Sequence, residues 1–96
     1  MKDIILYNEL YLCYEDLLTD NEKETFLDYY SEDLSLSEIA DNNNISKAAV
    51  SKTVNNVIDK LMGYEEKLHL NEKNKIVSEA LEKKDISILN KYNELD

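Results

Sequence analysis

The sequence predicts an all-α protein built around a helix-turn-helix, and three observations predict it. One Gly and no Pro leave the chain almost without the punctuation that strands and hairpins need. Apolar residues recur at three- and four-residue steps along most of its 96 residues. The stretch from Leu36 to Val54 reads as a short helix, a tight turn and a second helix. This length makes one domain, 1–96, with the helix-turn-helix at about 35–62 and a C-terminal helical extension at about 71–96. A hydrophobic content of 43% supports a modest core.

The first helix is expected over residues 2–18, where Leu6, Leu10, Cys13, Tyr14, Leu17 and Leu18 form one apolar stripe. Tyr7 and Tyr11 widen that stripe beyond what one internal partner needs, which points to a second copy packed on this helix. Thr19 and Glu22 have the spacing of a capping box, so a second helix starts there, with Phe26, Leu27 and Tyr30 facing inward. Ser35 and Glu38 repeat the signal for a third, short helix ending near Asn42. Ala40 is small where two helices must approach. Asn44 stands where the turn needs a left-handed residue, a conformation Asn tolerates. Ile39, Ile45, Val50 and Val54 are spaced to fill the wedge between the helices. Ser46 caps the fourth helix, which runs through Val57, Ile58 and Leu61; Gly63 marks a bend within it. Asn71, or else Asn74, caps a fifth helix carrying Ile76, Val77, Ala80 and Leu81. Asp85 caps a last segment with Ile86, Leu89, Tyr92 and Leu95.

The net charge of −10 is unevenly spread. Residues 1–41 carry a net −10, residues 42–64 a net +2 and residues 65–96 a net −2. The only positive stretch therefore holds the recognition helix. Its exposed positions are Ser46, Lys47, Ala48, Ser51, Lys52, Asn55 and Asn56. Lys47 and Lys52 suit phosphate or guanine, and Asn55 suits adenine in the major groove. Every cation is Lys, so the bidentate guanine contacts that Arg makes best are missing. Affinity for duplex DNA is dominated by phosphate neutralisation. The expectation is weak or no duplex binding by the isolated monomer, with a log–log salt slope no steeper than about −3.

Other chemistries find little support. Cys13 stands alone, which excludes a disulfide framework and fits a cytosolic protein. His69 with Glu65 or Glu66 supplies two metal ligands at most, where a structural zinc wants four. Consecutive acids such as Glu15-Asp16 do not face each other on a helix, and no nucleophile or phosphate-loop motif is present. The expectation is no enzyme, no metal and no cofactor. The longest apolar run, Ile4-Ile5-Leu6-Tyr7, is far too short to span a membrane. The acids that follow Met1-Lys2-Asp3 are wrong for a signal peptide. The tyrosines of the first two helices have acidic neighbours, which fits a core edge or protein interface better than a platform for single strands.

Five segments together, Leu17-Leu18-Thr19-Asp20, Tyr29-Tyr30, Asp33 to Ala40, Ile45 to Val50 and Tyr64-Glu65-Glu66-Lys67-Leu68-His69-Leu70, resemble the YlxM family. These are small bacterial helix-turn-helix proteins linked to the signal recognition particle. The resemblance covers roughly residues 5–70. It implies a fold like region 4 of bacterial sigma factors with additional C-terminal helices, and a cytoplasmic role beside the targeting GTPase and the particle's RNA. The family carries Arg-Gln after the capping serine where this chain has Lys47-Ala48. It carries a Tyr and then a Lys-Arg pair where this chain has Ser51 and Asn55-Asn56. Each change removes charge, donors or aromatic surface from the nucleic-acid face.

The expected function is therefore a non-enzymatic accessory factor of co-translational protein targeting. Glu15, Asp16, Asp20, Glu24, Asp28, Glu32 and Asp33 would meet a basic surface of the particle GTPase or of the ribosome. The rival is a sequence-specific DNA-binding regulator using Lys47, Ser51, Lys52 and Asn55. The particle's RNA is a third partner for the same helix.

Overall fold

The computed structural model describes residues 4–95 and contains six α-helices and no strand among them. They are α1 (Ile4–Tyr14), α2 (Asp20–Tyr30), α3 (Leu36–Asn43), α4 (Lys47–Leu68), α5 (Leu70–Lys83) and α6 (Asn90–Asn93). Two 3₁₀ turns, Glu15–Leu17 and Ile86–Leu89, punctuate them. The described residues divide into two compact units at Met62 and Gly63.

In the first unit, α1 ends before its apolar stripe does, and residues 2 and 3 of the expected helix lie outside the described residues. After Tyr14 the chain tightens into the 3₁₀ turn, and Leu18 is already extended (ψ 152°) to deliver Thr19 as the next cap. Leu17 is consequently half exposed, while Leu18 is buried. The Thr19 capping box is complete. Thr19 N–H donates to Glu22 Oε1 (2.9 Å), and Glu22 N–H donates to Thr19 Oγ1 (3.2 Å). The Ser35–Glu38 box is equally complete, at 3.0 Å in both directions. Each cap is worth about 1 kcal/mol.

The core of this unit combines Leu10, Tyr11, Tyr14, Phe26, Val57 and Leu61 with a cluster of Ile39, Ala40, Val50 and Val54. The aromatic surplus of α1 is spent internally. Tyr11 stacks flat on Phe26 with centroids 4.6 Å apart, and Tyr7 meets Tyr30 edge-on at 5.8 Å. The apolar face α1 leaves outward is instead Ile5 and Leu12, which are 76% and 72% exposed. Leu27 also lies outside the core, 38% exposed, because Phe26 and Tyr30 fill the inner side of α2.

The turn between α3 and α4 forms as its residues dictate. Asn44 is left-handed (φ 54°), and Ile45 N–H reaches back to the Ala40 carbonyl at 3.1 Å. That reversal breaks the helical spacing counted from Ile39, so Ile45 does not fill the wedge and stays 47% exposed. Ser46 Oγ accepts from Ala49 N–H (3.0 Å) to start α4. Gly63 does not interrupt α4, which continues to Leu68.

In the second unit, neither Asn71 nor Asn74 is the cap of α5. His69 holds the reversal in a left-handed conformation (φ 55°), and the helix begins at Leu70. The Glu65 carboxylate replaces a local cap, accepting from Asn71 N–H (3.1 Å) and Glu72 N–H (3.2 Å). Ionised oxygen at a helix N-terminus is well placed for the orphan amides and the dipole. Lys84, left-handed as well, ends α5. Asp85 accepts from Ser87 N–H (3.0 Å) to start the following 3₁₀ turn. Lys73 Nζ sits 5.1 Å from the Tyr92 ring centre.

Candidate functional site

The first unit carries two surfaces of opposite character. The first is the N-terminal part of α4. Ser46, Lys47, Lys52 and Asn55 are exposed there and Ser51 is half-buried. The structure brings these residues onto adjacent turns of one helix. Not all of their chemistry is open to a ligand, because the Ser46 hydroxyl already accepts the Ala49 amide. Nearby, Thr53 turns its own hydroxyl back to the Ala49 carbonyl (3.1 Å).

The third lysine of α4 is spent on the fold. Lys60 Nζ lies 2.7 Å from Glu22 Oε2, on a carboxylate whose side chain is 11% exposed. Glu22 thus closes a capping box with one oxygen and neutralises Lys60 with the other. Burial pushes its carboxyl up, but the Lys60 hydrogen bond and charge and the Thr19 bonds outweigh burial and hold it below the ordinary carboxylate value. The residues are far apart in sequence, and nothing local signalled the pair. Its consequence is that Lys47 and Lys52 remain as the exposed lysines of the recognition face.

The second surface is acidic. Glu15 and Asp16 lie on the 3₁₀ turn, Glu15 half-buried and Asp16 exposed. Asp20, Glu24 and Asp28 follow one another at four-residue steps on α2, so they share one face. Glu32 and Asp33 stand just beyond the helix end, both exposed. α2 has no basic residue in its last turn. Asp28, Glu32 and Asp33 therefore gather where the helix dipole is itself negative.

Beside this end of α2 lies a recess of about 480 Å³ lined by Ile4, Tyr29, Tyr30, Asp33, Leu34, Ser35 and Glu38. Of these, only Asp33 is among the candidate site residues read from the sequence. The recess forms because the α2–α3 link is closed by backbone bonds, Glu32 N–H to Leu27 O and Leu34 N–H to Asp28 O, both 2.9 Å. Asp33 is held left-handed between them (φ 56°). The cap bonds from Ser35 hold the Glu38 carboxyl below its ordinary value.

His69 Nδ1 lies 3.1 Å from Glu72 Oε1, while Glu65 is used as a helix cap. Among the described residues no group of three or more His, Cys, Asp or Glu is placed to hold a metal ion. No described helix is long and apolar enough to cross a membrane.

A family model matches residues 1–95 of this chain, described as UPF0122, "Putative helix-turn-helix protein, YlxM / p13 like". The chain belongs to that family. A UPF0122 protein of Mycoplasma capricolum subsp. capricolum is 43% identical over 91 residues, covering 93% of this chain and 74% of the relative. One from Ureaplasma parvum serovar 3 is 48% identical over 66 residues, 69% of this chain and 67% of the relative. One from Lactococcus lactis subsp. cremoris is 44% identical over 63 residues, 66% of this chain and 57% of the relative. Membership accounts for the all-α helix-turn-helix architecture; fold alone assigns no ligand to it.

Proposed function

We propose that this UPF0122 protein is a non-enzymatic, cytoplasmic accessory factor of the signal recognition particle pathway, acting through protein contacts of its acidic half. The observation that carries the reading is the uncompensated acidic end of α2. Like charges at four-residue spacing each cost about 0.2–0.5 kcal/mol, and Asp28 opposes the dipole as well. Among the described residues the side chains of Asp28, Glu32 and Asp33 have no hydrogen-bond or ion-pair partner. Such an arrangement is explained by a basic partner, whose approach the field would accelerate. The particle GTPase is the partner that the family resemblance suggests.

A second reading is supported by the exposed Lys47, Lys52 and Asn55 on a well-formed recognition helix: a DNA-binding regulator, or a ligand of the particle's RNA. Two lysines per copy are few for such a task. Ile5 and Leu12 offer α1 an apolar face for a second copy, and mass measurement in solution decides that assembly.

The test is titration of the full chain with purified targeting GTPase, particle RNA and duplex DNA, each at two salt concentrations. Binding of the GTPase alone at physiological salt is the expected result. Tight binding of either nucleic acid with no GTPase complex would reject the reading.

A further inference from the structure

We propose that the recess beside the end of α2 is the seat of an arginine side chain from a basic peptide segment of the protein partner. This rests on the acidic-surface reading and names the anchor of that contact. The recess has two kinds of wall. Ile4, Leu34 and the half-buried rings of Tyr29 and Tyr30 are apolar or aromatic, while Asp33 and Glu38 bring carboxylates. No lysine lines it. A bare metal ion would use the carboxylates and waste the apolar wall. An apolar side chain would strand the charges. Arginine matches both, with an aliphatic stem for the walls and a planar cation that stacks on aromatic rings and binds carboxylates through paired N–H donors. At about 480 Å³ the space exceeds a single ion and suits an anchored peptide.

The site is also pre-shaped. The two rings meet edge-on at 4.9 Å, and Tyr30 is further braced by Phe26 at 4.9 Å and Tyr7 at 5.8 Å. Glu38 is pinned by the capping box, which occupies one of its oxygens and leaves the other for a guanidinium. Asp33 is fixed by its left-handed backbone between two hydrogen-bonded neighbours. The rings, Glu38 and the Asp33 backbone therefore have little conformational freedom to lose on binding.

Conservative variants separate this seat from general attraction to an acidic protein. Glu38→Gln keeps the capping box, and Asn tolerates the left-handed backbone at position 33, so D33N/E38Q removes the two charges without unfolding α3. D16N/E24Q removes two charges elsewhere on the acidic half. Tyr29→Leu removes the ring and leaves every charge in place. Fluorescence anisotropy with a labelled short peptide bearing one central Arg, and with its Lys counterpart, reads the affinity at physiological salt.

The Arg peptide should bind more tightly than the Lys peptide. D33N/E38Q should weaken it about tenfold, Y29L severalfold, and D16N/E24Q less than about twofold. Equal losses from the two double variants, or no loss from Y29L, would overturn the seat in favour of diffuse attraction. Concentration-dependent doubling of mass abolished by Y29L would overturn it in favour of a second copy. GTPase binding that survives D33N/E38Q but fails on Asp28 reversal would sink the seat alone. Peptide capture without any GTPase complex would sink the pathway assignment alone.

Discussion

Glu22 joins helix capping to helix–helix attachment, and its loss can be dissected. The carboxylate is 11% exposed and Lys60 43%, so the pair lies between a surface bridge and a buried one. Surface bridges contribute about 0–1 kcal/mol, whereas stranding one partner of a buried pair costs about 3–5 kcal/mol. Glu22→Gln retains the cap and removes only the charge, so about 1 kcal/mol should be lost. Lys60→Met leaves a carboxylate buried without its cation and should cost more, about 2 kcal/mol. The double variant should cost less than the sum of the two, since neither group is then stranded. Urea unfolding measures all three.

The pH dependence supplies a second reading of the same pair. The Glu22 carboxyl is held low in the folded chain, so its contribution is complete above the unfolded value of about 4.3. That contribution disappears as pH falls through the lower folded value, and E22Q should lack this acid-sensitive component. Lys60→Met should leave nucleic-acid affinity unchanged, because that lysine already serves the fold. Single variants with wild-type midpoints, or strictly additive losses, would refute the coupling.

Three further outcomes follow from local geometry and charge. Gly63 lies within α4 with open space around the position of an added Cβ, so Gly63→Ala should raise stability by about 0.8–1 kcal/mol in thermal unfolding. Asn44 is left-handed (φ 54°), so Asn44→Val should cost at least about 1–2 kcal/mol while Asn44→Gly is tolerated, as denaturation midpoints would record. With Lys60 engaged, Lys47 and Lys52 set the duplex-DNA salt slope at about −2 per copy in a filter-binding series, and removing either should flatten it by about 1.

The elements that could be read from the sequence are those written in short-range chemistry. Thr19–Glu22, Ser35–Glu38, Asn44 and Ser46 each act within three or four residues, and each took the expected role. The departures come from competition over longer distance. Glu65 reaches across a reversal to cap α5, which removes Asn71 from that task. The backbone closure at Asn44 carries Ile45 out of the wedge. Tyr11 looked surplus on its own helix because Phe26, on the next one, is its stacking partner. The Lys60–Glu22 pair shares this origin, since its members lie on different helices and no period or motif connects them. The recess draws Tyr29 to Glu38 from one short stretch, but its shape depends on the backbone closure of the α2–α3 link and on Ile4 from α1.

The most direct test of the central claim is titration calorimetry of the targeting GTPase into wild-type chain, into D28K/E32K and into K47A/K52A at physiological salt. The account predicts that D28K/E32K weakens the complex by tenfold or more, with helix stability unchanged or raised, and that K47A/K52A leaves it intact. A complex indifferent to the acidic reversal and abolished by losing the two lysines would contradict it.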